Sequence, residues 1–172
     1  QQPQSPDALT QFHTLAKGLV TTPAQGVEDT GEAALLTADT AAAFGHAAAM
    51  APHAAVGAEG IGNPFSALWR GAREVLRTLS YYEMKNRAGI VGQQGLGPLL
   101  SQLTGPTGAP RIHLMGHSFG ARLVSYALAG LAQGQTGNAS PVKSLTLIQG
   151  AFSHFTFASE LVFDPSRAGG LA

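Results

Sequence analysis

Cysteine is absent from this 172-residue chain, which removes disulfides and thiolate chemistry without choosing a redox compartment, since exported proteins also do without it. Charge is scarce as well: Lys and Arg number 10, Asp and Glu 10, and the formal net charge is zero. With no global field, neither nucleic acid nor anionic lipid is implied as a partner. Long apolar runs are also lacking. The longest, Glu32 to Pro52, is mostly alanine and is interrupted by Asp39, Gly45 and His46, too weakly apolar for a membrane span. A soluble protein is expected, with the cytoplasm slightly favoured and the oligomeric state left open. The start, Gln1-Gln2-Pro3-Gln4, carries no initiator Met and no basic stretch before an apolar core, so a processed or excised N-terminus is expected rather than a signal peptide.

What the chain does have is helical spacing punctuated by glycine and proline. Leu9, Phe12, Leu15, Ala16 and Leu19 fall on one side of a helix over 7–20, with Asp7 near its positive end. Residues 21–30 read as loop, and the alanine-rich stretch 31–50 as a helix with little bulk to anchor it. After a Gly/Pro/Ala linker over 52–62, Asn63 and Pro64 supply an N-cap and a first-turn proline. Phe65, Leu68, Trp69, Ala72, Leu76 and Leu79 then line one face opposite Arg70, Arg73, Glu74 and Arg77, and Gly89 is the expected stop. Two regions follow: an alanine-rich, loosely packed helical part over 1–62 and an α/β part over 63–172.

Within the second region a short helix is expected over 96–103, followed by a turn-rich break over 105–110. Arg111-Ile112-His113-Leu114-Met115 is short and largely apolar, as a buried parallel strand should be. Residues 119–133 then place Val124, Ala127, Leu128 and Leu131 on one helical face, and Val142 to Ile148 reads as a second strand. The result is a right-handed strand–helix–strand unit. Gly92-Gln93-Gln94-Gly95 invites a phosphate-loop reading, but no strand precedes it and no Gly-Lys-Ser/Thr follows, so a helix end with a surface loop is expected. Past Gly150 there is no further clear strand pattern, and the chain has no internal repeat.

The motif that carries chemistry is Gly116-His117-Ser118-Phe119-Gly120. A serine hydroxyl is a poor nucleophile, and acyl transfer needs it exposed beside a general base and near donors for the developing oxyanion. In a G-x-S-x-G elbow the serine sits on a strained strand-to-helix turn, and the flanking glycines leave room for strand and helix to approach. With 22 glycines in the chain the pattern alone is weak, so its context decides. That context, between an expected strand and an expected helix, is the one the chemistry requires. Ser118 is the candidate nucleophile, the Phe119 N–H the candidate oxyanion donor, and Gly116, His117 and Gly120 shape the elbow. His117 is expected to pack beneath the turn.

These residues resemble the α/β-hydrolase superfamily, in particular bacterial serine hydrolase-like proteins in which a stretch like Gly116-His117-Ser118-Phe119-Gly120-Ala121-Arg122-Leu123-Val124 precedes one like Ser144-Leu145-Thr146-Leu147-Ile148-Gln149-Gly150-Ala151-Phe152-Ser153-His154. The likeness runs from about Trp69 to Phe157. It implies a partial α/β-hydrolase fold, with a parallel strand–elbow–helix–strand core and an α-helical N-terminal part. Ile112 to Met115 would be the strand before the nucleophile, and Val142 to Ile148 the next. The activity implied is that of an esterase or related acyl hydrolase on a small-molecule ester or acyl substrate, without a cofactor.

The chain departs from the family where the triad should close. The family order is nucleophile, acid, histidine, whereas after Ser118 the only histidine is His154 and the carboxylates, Glu160 and Asp164, both follow it. No strand before Arg111 is evident to carry the loop for a second oxyanion donor, so the segment reads as the middle of a larger hydrolase. Two readings of the remaining groups stand. In one, His154 lies just past the carboxyl end of the second strand, where α/β sites gather, and serves as base oriented by Asp164. In the other, His154 lines a pocket or packs among Phe152, Phe155 and Phe157, and Asp164 before Pro165 is a turn residue. His13, His46, His53 and His113 show no metal-ligand spacing, and no metal site is expected. Two alternatives to a hydrolase remain: a non-catalytic hydrolase-like scaffold or binding module, and an acyltransferase using the same elbow.

Overall fold

The computed structural model describes residues 5–50, 64–103 and 110–172. The expected linker over 52–62, the Asn63 cap, most of the turn-rich break over 105–110 and the expected regional boundary at 62/63 lie outside the described residues. These residues form a mixed α/β structure, mostly helical, with two parallel strands. No described helix is long and apolar enough to cross a membrane. The chain divides into two compact units, one made of Gln1–Thr21 and Gly31–Glu83, the other of Thr22–Thr30 and Met84–Ala172.

The first unit is helical. α1 (Pro6–Lys17) starts where Ser5 accepts the Ala8 N–H on its hydroxyl and Pro6 opens the first turn. The alanine-rich stretch is not one helix. A 3₁₀ turn at Gly31–Ala33 leads into α2 (Ala34–Thr37), and α3 (Thr40–Met50) restarts because Asp39 caps it, accepting the Ala41 and Ala42 N–H groups. α4 (Pro64–Val91) contributes its residues up to Glu83.

Contrary to the loose packing expected of the alanine-rich part, Phe44 on α3 is fully buried. It joins Leu9, Ala16, Ala43, Ala72, Val75 and Leu79 in one apolar cluster. Phe12 stands edge-on to both Trp69 and Phe44, with centroids 5.4 and 6.2 Å apart, a favourable arrangement for ring quadrupoles. One large side chain therefore supplies the anchor that the alanines lack.

The second unit is built around a strand–helix–strand core. α4 does not stop at Gly89. It runs to Val91, loosens into a π-helical turn at Gly92–Leu96 and continues as α5 (Gly97–Gln102). The glycines serve close approach rather than termination. A Cβ at Gly89 would collide with the Gln25 side chain, and one at Gly92 would sit 3.0 Å from the Leu123 carbonyl carbon. β1 (Ile112–His117) leads through Ser118 into α6 (Phe119–Ala129), and β2 (Val142–Ile148) returns parallel to β1.

α6 packs against both strands. On the opposite face, His113, Met115 and His117 align in register with Ser144, Thr146 and Ile148 and are exposed, Met115 at 70%. Parallel sheets ordinarily have both faces covered. Two strands with one covered face amount to a coarse α/β arrangement, not a whole hydrolase sheet. After β2 the chain proceeds by turns, with an isolated antiparallel bridge between Leu161 and Asp164.

His13 in the first unit is fully buried; its Nε2 donates to the Leu35 carbonyl at 3.2 Å and its Nδ1 lies 3.1 Å from the Thr40 hydroxyl. Burial, reinforced by Lys17, holds its titration below the usual 6.5, with the Leu35 carbonyl and Asp39 opposing. The unfolded chain then takes this proton at higher pH than the folded chain. The stabilisation from neutral His13 is complete above the unfolded value and is lost as pH falls toward the folded one. A histidine-resolved NMR titration should give His13 a midpoint below 6.5. Thermal unfolding scanned from about pH 7 to about pH 5 should weaken less in His13→Gln than in the wild type.

Candidate active site

β1 ends in Gly116 and His117, and the chain reverses at Ser118 with φ 53° and ψ −119° before α6 begins at Phe119. A positive φ is uncommon for a residue with a Cβ and costs on the order of 1–3 kcal/mol, so it persists only where surroundings enforce it. Three backbone hydrogen bonds do so here. The Ser118 N–H donates to the Ile148 carbonyl at 3.0 Å, while its own carbonyl accepts the Arg122 N–H at 3.3 Å and the Ala151 N–H at 3.1 Å. Ser118 thus ends β1 while bonded to the first turn of α6, to the last residue of β2 and to the turn that follows β2. Its side chain makes no capping bond to α6, which leaves the hydroxyl at the carboxyl edge of the sheet beside the first turn of the helix.

The two elbow glycines differ in their need. A Cβ at Gly116 would lie 2.6 Å from the Ala121 Cα and closer still to the Gly120 carbonyl. A Cβ at Gly120 would meet nothing within 4 Å. Only the first is therefore sterically obligatory. His117 does not pack beneath the turn: it lies on the uncovered face of the sheet, opposite Ile148, and is exposed. On the adjoining strand end Gln149 also has a positive φ of 46°, so both strands leave the sheet through constrained residues side by side.

One helical turn beyond Ser118 is the group that sequence reasoning missed. Arg122 is fully buried, its Nη1 paired with Asp29 Oδ2 and donating to the Ala151 carbonyl at 3.3 Å, and its Nη2 donating to Gln25 Oε1 at 2.5 Å. Asp29 is shared. Its Oδ1 accepts the Ser153 N–H at 3.1 Å and lies 3.4 Å from Lys85 Nζ, which also donates to the Asp29 carbonyl. Tyr126 presents its ring to the guanidinium, 4.8 Å from the centroid, a cation–π contact. Burial raises the titration of that phenol, with Arg122 opposing.

The segment 22–30, expected to be plain loop, therefore supplies a buried acid. The last turns of α4 supply a buried Lys85 and Asn86, the latter donating to the Thr22 carbonyl at 3.1 Å. A charged residue inside the apolar run of α6 was the available signal. What it lacked was a partner within reach of sequence spacing.

The remaining candidates are not brought together. His154 is exposed and lies against Phe155, with ring centroids 3.9 Å apart. The Asp164 carboxylate accepts the Ser166 N–H at 3.2 Å and its hydroxyl at 2.6 Å, as an Asx turn does. Among the described residues no hydrogen bond or ion pair joins Ser118, His154 and Asp164. Also among the described residues, no group of three or more His, Cys, Asp or Glu side chains is placed to hold a metal ion.

Three substitutions test this arrangement. Gly116→Ala should cost about 1–3 kcal/mol from overpacking against backbone, whereas Gly120→Ala should be neutral or stabilise by up to about 1 kcal/mol through loss of unfolded-state freedom. Urea denaturation of the pair reads the difference directly, and equal effects would contradict the steric account. Asp29→Ala leaves Arg122 and Lys85 buried without their shared carboxylate and should cost about 3–5 kcal/mol by the same measurement.

Comparison with protein-family models, with curated proteins and with solved structures finds no match to this chain.

Proposed function

We propose that Ser118 is the nucleophile of a serine-hydrolase-like acyl-transfer site, carried on part of an α/β-hydrolase core in which β1, α6 and β2 are the nucleophile strand, its helix and the next strand. The observation that carries this reading is the backbone of Ser118. A β-carbon-bearing residue held at φ 53° by three hydrogen bonds, between a parallel strand and a helix, is strain placed where a nucleophile needs it.

In this reading the Ser118 oxygen attacks the acyl carbon of an ester. The negative charge moves to the carbonyl oxygen, where the Phe119 N–H and the positive end of α6 stabilise it. The hydroxyl proton passes to a general base. On this chain His154 is the candidate, because it follows the segment whose Ala151 N–H bonds the Ser118 carbonyl. It must leave Phe155 to serve.

A second reading, a hydrolase-like binding scaffold without turnover, is favoured by the lack, among the described residues, of any hydrogen bond or ion pair between His154 and Asp164 and by the commitment of Asp164 to Ser166. The two readings part on covalent chemistry. A fluorophosphonate probe should label the chain and leave Ser118→Ala unlabelled, and hydrolysis of short p-nitrophenyl esters should fall by about a hundredfold or more in that variant. Equal labelling of both proteins would remove Ser118 from the mechanism, and no labelling of either would favour the scaffold.

A further inference from the structure

Beyond β2 the chain turns back along the elbow. Ala151 is fixed from both sides, its N–H donating to the Ser118 carbonyl at 3.1 Å and its carbonyl accepting Arg122 Nη1 at 3.3 Å. Two residues on, the Ser153 N–H donates to the buried Asp29 carboxylate at 3.1 Å. The backbone over 151–153 is thus held beside the serine by contacts to groups that are themselves buried. It is an immobilised margin of the site.

The side chains on this margin are aromatic. Phe152 folds back over Gly150, where a Cβ would lie only 2.5 Å from the ring, and it meets Phe157 edge-to-face with centroids 5.4 Å apart. Phe155 stands in the same relation to Phe163 at 6.0 Å. Phe157 and Phe163 nevertheless remain 47% and 60% exposed. No formally charged residue occurs between Ala151 and Ser159. Exposed aromatic side chains on a segment bonded to the backbone of a candidate reactive residue offer a place for an apolar ligand.

We propose that Phe152 and Phe157 form an aromatic wall that selects esters with an apolar acyl chain. The inference rests on Ser118 being the nucleophile. The acyl chain lies against the two rings while the Ser118 oxygen bonds the acyl carbon. The ester C–O bond then breaks, and the alcohol leaves carrying the hydroxyl proton delivered by the base. Each methylene laid on the rings leaves water, so chain length is read as rate.

Two measurements on the full chain test this separately from the chemistry. The first compares labelling rates with ethyl and octyl fluorophosphonates, in which the Ser118 oxygen bonds phosphorus and fluoride departs. The octyl probe should react about tenfold faster, and Phe152→Ala or Phe157→Ala should each lower the octyl-to-ethyl ratio about fivefold, with Phe152→Leu intermediate. The second is calorimetric titration of Ser118→Ala with octanoate and acetate. Octanoate should bind at least about fivefold tighter, and Phe152→Ala should erase the difference.

Labelling of Ser118 with no preference for chain length would overturn the wall and leave the nucleophile standing. Absence of labelling with octanoate selectivity retained would remove the nucleophile and keep the wall as a binding surface. A chain that neither prefers octanoate nor changes in the phenylalanine variants would end the proposal.

Discussion

The pairing of Asp29 with Arg122 holds the second unit in its working arrangement. Both side chains are almost entirely buried, and neither charge is tolerable there alone. The carboxylate answers the guanidinium, shares Lys85 and still accepts the Ser153 N–H. The guanidinium also donates to the Ala151 carbonyl and to Gln25. Four chain segments meet in one polar knot: residues 22–30, the last turns of α4, the start of α6 and the turn after β2. Buried ion pairs contribute little net stability compared with apolar packing. Their geometric demands, however, restrict which arrangements the segments can adopt together.

The elbow depends on that restriction. Ser118 sits in a backbone region that sterics disfavour, and one of its three restraining hydrogen bonds comes from Ala151, itself held by Arg122. The cost of the turn is thus met by contacts below and beside it rather than by the five residues of the motif. Gly116 adds a steric condition, since α6 crosses directly over it. The same buried knot that secures the strained residue also fixes the loop bearing Phe152 and His154. Any chemistry at Ser118 and the surroundings of that chemistry therefore share a single support.

Legibility in the sequence followed the range of the interaction. The strand, turn, helix and second strand around Ser118 were readable because each is set by local pattern: short, largely apolar runs, a glycine at the tight approach, and helical spacing from Phe119, although α6 ends at Ala129 rather than at 133 and the expected burial of β1 holds on one face only. The strong apolar face of α4 was readable for the same reason. What failed was long-range. Gly89 looks like a helix stop, but it clears space for a side chain, Gln25, that lies far away in sequence. Phe44 is one bulky residue among alanines, and only the three-dimensional arrangement reveals that it is wholly enclosed. Residues 21–30 carry no periodicity, so nothing marked Asp29 as the acid that Arg122 requires.

The span between those two partners also orders how the unit comes apart. Asp29 meets Arg122 across 93 residues, whereas β1, α6 and β2 are successive along the chain, and closing a long loop costs more entropy than closing a short one. Sub-global opening begins with contacts that return least for the entropy they hold. Release of 22–30 would therefore precede separation of the strands. Amide exchange would record it as early loss of protection at Ser153 while the Ser118 N–H, bonded to Ile148 across the sheet, stays protected.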